Sequence, residues 1–351
     1  MKKIVSFCFI VFALLIQIKA QPPSDYYSSL EGKYTEELKT ATHLAIKVHL
    51  RLSYTALWKY FQQTDCMPDD TSRICDMYSS NITYFSDYST LNKEHCVPNS
   101  WWGGPTADNE YAYRDLNNLY PANETVNMSK SNNPLSEVGA TTLNNGVSKS
   151  GTSIFKGFSG KAFEPADEYK GDFARTYLYM ATCYQDYTTW MKDTTGQYQI
   201  IIGAYPSIQP WAINLLLKWH RQDPLSLKET TRNNIVFVLQ ENRNPFIDYP
   251  QLAEYIWGNM KDSIWHAATI NIKDNTITQP TIYPNPSKDQ IHINIENSSS
   301  SDFQYDIYTI TGIMKLSGHS SIIDISQLPT GVYSCKITNQ SKVYINKLII
   351  R

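Results

Sequence analysis

The chain contains no HExxH, no GxSxG and no CxxC pair. These absences remove the common helix-borne zinc hydrolase, the serine nucleophile on a strand-turn-helix elbow, and a zinc site built on paired cysteines. There is no excess of positive charge either: 31 Lys and Arg face 33 Asp and Glu, a formal charge of −2 over 351 residues. A phosphate-bearing ligand therefore has to be held by a local cleft, because the field of the whole molecule would be weak or repulsive. Nor does the amino terminus offer a comfortable membrane span. Its apolar run, Ile4 to Ile16, follows Lys2 and Lys3 and gives way to Ala20 before Gln21, which predicts a secretory signal peptide over residues 1–20. Cys8 lies inside the run and no Cys follows the cleavage point, so no lipid anchor is expected. Loss of Lys2, Lys3 and Lys19 with the signal takes the formal charge to about −5.

Five cysteines remain beyond the signal, at positions 66, 75, 96, 183 and 335. Cys66 and Cys75 bracket a turn-rich loop and are the expected disulfide in an oxidising compartment. Cys96 follows His95 directly, but neighbours in a strand point to opposite faces. It is expected to be buried or bridged to Cys183, and not to act as a nucleophile or zinc ligand.

At 42% apolar and 13% aromatic residues, the chain can bury a sizeable core. Its pattern predicts an α+β protein: a mostly helical first domain over 21–262, a polar linker over 263–280, and an all-β sandwich over 281–351. Ser53 precedes a predicted helix with Leu57, Trp58 and Phe61 on one face. Asp172 opens another with Ala174, Leu178 and Ala181 in step. Ser226 and Glu229 fit a capping box for a third, whose apolar face would carry Ile235, Val238 and Leu239. Met77 to Phe85 and the Lys93–Pro98 stretch read as short strands. In the tail, alternating segments at 291–296, 305–310, 332–337 and 342–350 read as strands separated by Ser, Gly, Pro and Asn.

Chemistry concentrates between residues 92 and 121, NKEHCVPNSWWGGPTADNEYAYRDLNNLYP. A carboxylate at Glu94 and an amide oxygen at Asn118 are hard donors suited to Mg²⁺, and the imidazole of His95 beside them can take a proton from water near neutral pH. If 115–119 forms a helical turn, Asp115 and Asn118 share a face and Asn117 is turned away; this favours Asn118 only if Asp115 also faces the site. Hydrolysis of a phosphodiester requires an activated water, charge stabilisation and help for a poor leaving group, which one divalent metal and one base can supply. Lys130, Ser131 and Asn132 can contact backbone phosphates, or form a solvated turn. Trp101 and Trp102 can stack bases or join the core.

At these residues the chain resembles the endonuclease I family of secreted bacterial nucleases, which carry a ββα-metal motif. KEHCVPNSWW is similar to the family's base motif and DLNNLYPANETVNMSKSNNPLSEVG to its metal-helix motif, with two further matching blocks from Lys170 and from Trp219. The resemblance implies His95 as general base, Glu94 as metal ligand and Asn118 as the ligand from the helix. Asn117 stands where the family commonly has His, and the resemblance also implies an arginine that stabilises the cleaved phosphate, for which Arg114 and Arg175 are the candidates, with a structural ion pair as the competing role for each. The tail resembles the sorting module of the type IX secretion system, through YPNP at Tyr283 to Pro286, Thr311-Gly312, LPTGVY from Leu328 to Tyr333, and the closing KLIIR.

Together these imply an enzyme secreted or held at the cell surface, a metal-dependent endonuclease that uses Mg²⁺, or another divalent ion such as Ca²⁺ or Mn²⁺. DNA is the expected substrate, with RNA left open beside it; the type IX machinery is the expected partner, and a monomer without a membrane span the expected state. The alternative is an impaired surface protein that binds nucleic acid without cutting it, with Asn117 and the acidic charge as its grounds.

Overall fold

The computed structural model describes residues 22–106, 109–192, 196–267, 280–295, 303–309, 314–339 and 342–351. The signal segment 1–20, residues 268–279 of the linker and the Thr311-Gly312 turn lie outside the described residues. The chain divides into two compact units, 1–267 and 268–351. No described helix is long and apolar enough to cross a membrane.

The first unit mixes helices with two small antiparallel sheets. Its axis is a helix that we label α5, Lys170–Cys183, in which every residue is buried. Helix α1 (Thr35–Ile46) and helix α6 (Pro210–Gln222) pack against it, so α5 has no solvent face and needs no amphipathic pattern. α6 starts with Pro at its first position and ends on His220 and Arg221, which suit the helix dipole. Helix α7, Leu227–Gln240, opens on the predicted capping box: Ser226 Oγ accepts from Glu229 N–H at 3.2 Å and Ser226 N–H donates to Glu229 Oε2 at 3.1 Å.

α7 departs from expectation in the face it buries. Val238 is exposed and Ile235 and Leu239 only half-buried, while Glu229, Arg232, Asn233, Val236 and Gln240 face inward. The polar stripe is buried because each member has a partner. Arg232 binds Asp65 at 2.9 and 3.2 Å and also donates to the carbonyls of Leu116 and Leu119; Gln240 donates to Asp115. Helix α2 (Leu57–Thr64) buries Leu57 and Phe61 as expected, but Ser53 does not cap it; Ser53 Oγ pairs with Thr55 Oγ1 ahead of a short 3-10 turn.

Strand β1 (Leu91–His95) pairs antiparallel with β2 (Leu119–Asn123), placing Glu94 opposite Tyr120 and His95 opposite Leu119. The short helix α3 (Glu110–Tyr113) lies in the connection, and helix α4 (Glu124–Lys130) follows β2 without a break. β3 (Val138–Asn144), β4 (Lys149–Ser153) and β5 (Lys161–Glu164) form the second sheet, and α8 (Pro245–Asp248) and α9 (Leu252–Ile256) close the unit. Two sequence expectations fail here. Residues 77–85 form a turn and isolated bridges at Tyr84, and no continuous strand. Cys66 and Cys75 are both free: Cys66 bridges Ile74 across the loop, so Cys75, the next residue, points to the other face. Cys96 and Cys183 are buried free thiols.

The second unit contains only strands among its described residues. β6 (Thr281–Tyr283), β7 (Gln290–Asn294) and β10 (Ile322–Asp324) make one antiparallel sheet; β8 (Phe303–Thr309), β9 (Met314–Gly318), β11 (Gly331–Asn339) and β12 (Lys342–Ile350) make the other. Ile291 and Ile293 from the first share a core with Ile307, Cys335, Ile337 and Leu348 from the second, which is the inward half of each strand's alternation.

Candidate active site

The cleft is built where β1 ends and α4 begins. Asn123 caps α4, its side chain accepting from Val126 N–H at 3.2 Å, and Glu124 in the first turn complements the helix dipole. On α4, Asn127 and Lys130 are three residues apart and so share a face. That face looks onto the end of β1. Glu94, His95, Asn99, Asn127, Ser131 and Asn132 line a polar, water-accessible cleft of about 450 Å³.

Each of the three central side chains is set differently. Glu94 accepts from Lys130 Nζ through Oε1 at 2.7 Å, in a pair whose ammonium is fully buried. Burial raises the Glu94 carboxyl above its usual range, with Lys130 acting in opposition. His95 donates from Nε2 to the Tyr113 carbonyl oxygen at 3.0 Å, which leaves Nδ1 as the nitrogen with a free lone pair. Its ring lies parallel to Tyr54, centroids 6.5 Å apart, and meets Trp102 edge-on at 5.8 Å. Burial pushes its pKa down to about 4, so the ring is neutral at neutral pH. Asn127 is half-buried, and its amide has no hydrogen-bond partner among the described residues.

Asn118 is placed otherwise. Residues 115–118 form a turn with no helix. The Asn118 amide is fully buried and used at both ends, Oδ1 accepting from Val97 N–H at 2.8 Å and Nδ2 donating to Val97 O at 3.3 Å. It pins β1 to β2 and does not line the cleft. The helical segment lies nine residues on, and Asn127 is the amide it brings to Glu94 and His95. The signal was present in Asn123-Glu124, a cap residue followed by an acidic first turn.

The cationic candidates also move. Arg175 is buried and grips Glu229 through Nε at 2.5 Å and Nη2 at 2.8 Å. Arg114 binds Glu110 at 3.2 Å and the Leu52 carbonyl. Neither lines the cleft, and no arginine does among the described residues. Lys130 is inside the site but not at its surface, so its partner is Glu94 and not solvent. Trp101 and Trp102 are fully buried, and Trp101 Nε1 donates to Asn132 O at 3.1 Å. Asn117 faces Asn242 in the interior at 3.5 Å.

As a metal site the cleft offers one carboxylate and one free amide oxygen, with room for water. Among the described residues no group of three or more His, Cys, Asp or Glu is arranged so as to hold a metal ion. A set of few hard oxygens completed by water suits Mg²⁺, which dehydrates reluctantly. The donors present therefore fit such an ion.

Comparison with known proteins adds a family. The sequence model of the Endonuclease I family matches residues 34–251, and that of a secretion system C-terminal sorting domain matches 281–351. The chain is 32% identical to an extracellular ribonuclease of Bacillus amyloliquefaciens over 241 residues, 66% of this chain and 78% of that one. It is 30% identical to an extracellular ribonuclease of Bacillus subtilis over 257 residues, covering 70% and 83% of the two chains. Identity to Endonuclease-1 of Buchnera aphidicola subsp. Baizongia pistaciae is 27% over 168 residues, 44% and 60% of the chains.

Proposed function

The chain belongs to the endonuclease I family, and from that premise we propose that it is a secreted, sequence-tolerant endonuclease that hydrolyses DNA and RNA with one divalent metal and His95 as general base. It is a secreted or cell-surface protein with a sorting domain at 281–351, which we read as its address for the type IX machinery. β1, β2 and α4 are the ββα frame of the metal site in this reading. The observation that carries it is that Glu94, His95 and Asn127 line one cleft, with the Asn127 amide unengaged and the His95 tautomer set by Tyr113.

Glu94 and Asn127 would hold the cation, Mg²⁺ fitting best, and it would supply positive charge to the crowded phosphate and the departing oxygen. His95 Nδ1 takes a proton from a water as that water's oxygen bonds to phosphorus. The bond to the 3′-oxygen breaks, and that oxygen leaves with a proton from solvent. The low pKa of His95 keeps it unprotonated; the negative phosphate, once bound beside it, raises its basicity. Asn99, Ser131 and Asn132 are small polar residues able to hold phosphates without reading bases, which accounts for sequence tolerance. RNA stands beside DNA as substrate because the two Bacillus relatives are ribonucleases by name. The departure at Asn117 does not favour a binding-only protein, since that side chain lies in the interior.

The test is cleavage of supercoiled plasmid and of an RNA transcript by the full-length protein with Mg²⁺, with EDTA, and with His95→Ala. Cutting that needs the metal and drops by orders of magnitude in the variant is expected. Folded wild-type protein that leaves both polymers intact across several divalent ions overturns the reading.

A further inference from the structure

Asn132 lines the catalytic cleft. Asn133, the next residue, lines a second cavity of about 700 Å³, and Gly157 is shared between that cavity and a third of about 590 Å³ reaching Asn214. The described lining of these two cavities differs in charge from the rest of this acidic protein. Lys161 lines the second cavity and Lys156 the third; both are exposed and neither has an ion-pair partner among the described residues. No Asp or Glu among the described residues lines either cavity.

The floor is built, and two glycines make it possible. Phe158 lies flat on Trp211, centroids 4.6 Å apart and planes 9° apart. A Cβ on Gly157, whose φ is +101°, would stand 2.8 Å from Trp211 Cβ, and one on Gly160 would stand 2.6 Å from Phe158 Cζ. Only glycine at both places lets the ring settle there. The result is a half-buried Phe158 that lines the second cavity together with Lys161, Ser159 and Gln197, stacked on a buried Trp211 that lines the third together with Lys156. Aromatic faces beside cations hold single-stranded nucleic acid by stacking bases and neutralising phosphates.

We propose that the trough from Asn133 to Asn214 is a flank subsite, holding the phosphodiester backbone and a base of the substrate on one side of the scissile bond. This rests on the nuclease reading above. It makes cleavage depend on strand length beyond the nucleotides in the cleft.

The experiment compares full-length wild type, the double variant Lys156→Glu/Lys161→Glu, and Lys288→Glu, a charge reversal in the second unit. Each is assayed on oligonucleotides of about four and about twenty residues. The long-to-short ratio of kcat/KM is expected to fall about tenfold in the double variant, through KM, with a shallower salt dependence by about one to two ion equivalents. Lys288→Glu is expected to keep the wild-type ratio. A double variant within about twofold of wild type, or an equal fall in Lys288→Glu, overturns the subsite while leaving the nuclease standing. Wild-type protein that cuts neither oligonucleotide brings down both.

Discussion

Lys130 Nζ lies 2.7 Å from Glu94 Oε1, and the ammonium is closed off from solvent while the carboxylate stands at the cleft wall. The last residue of α4 thus supports a side chain at the end of β1. Removing the cation leaves a buried carboxylate without its partner, so Lys130→Met is expected to cost about 3 kcal/mol in urea denaturation with EDTA present. Glu94→Gln/Lys130→Met should recover most of that loss. A single variant as stable as wild type would show that the pair carries no weight.

Asn127 and Asn118 should separate cleanly. Asn127→Ala removes an unengaged amide from the cleft, and is expected to lower metal-dependent cleavage about 100-fold while changing stability by less than about 0.5 kcal/mol. Asn118→Ala orphans the buried N–H of Val97, and is expected to cost about 1–3 kcal/mol. Reversed outcomes in parallel melting and activity measurements would return the metal to Asn118.

Arg175 belongs to the fold. Arg175→Leu strands Glu229 in the interior, and the expected result is a loss of about 3–5 kcal/mol. The salt dependence of nucleic-acid binding by the surviving folded fraction should match wild type. A selective loss of binding with full stability would make it a phosphate ligand after all.

His43 gives the protein an acid-sensitive contribution. Burial holds its pKa below the ordinary histidine value, with Asp186 and backbone carbonyls working the other way. The unfolded chain therefore takes up its proton first as pH falls, so stability from this site is full above about pH 6.5 and declines below it, by up to about 1.4 kcal/mol per pH unit. Buried Asp172, pushed up to about 7, titrates in the opposite sense, so the comparison has to be with a variant. The stability advantage of wild type over His43→Gln should shrink between pH 7 and pH 5; a constant or growing gap contradicts it.

Where local chemistry decides structure, the sequence could be read directly. The Ser226–Glu229 cap, the strands of the tail and the Glu94-His95 pair at the end of a strand depend on near neighbours. What could not be read was decided at long range. The inward face of α7 is polar because Asp65, Arg175 and Asp115, all distant in sequence, meet it there. Helical spacing alone put Ile235 and Val238 inside. The same holds for Asn118: the amide suits a metal equally well at 118 or 127, and only the fold shows that Val97 has already claimed the first.

The turn at 115–119 is held from far downstream. Asp115 accepts from Tyr179, Tyr184 and Gln240, while Leu116 and Leu119 are bound by Arg232 and Gln240. A chain emerging amino end first has β1 and β2 early, but the clasp that fixes the loop between them only when residue 240 is out. The loop between the two strands thus has its full set of partners only once nearly all of the first unit is present.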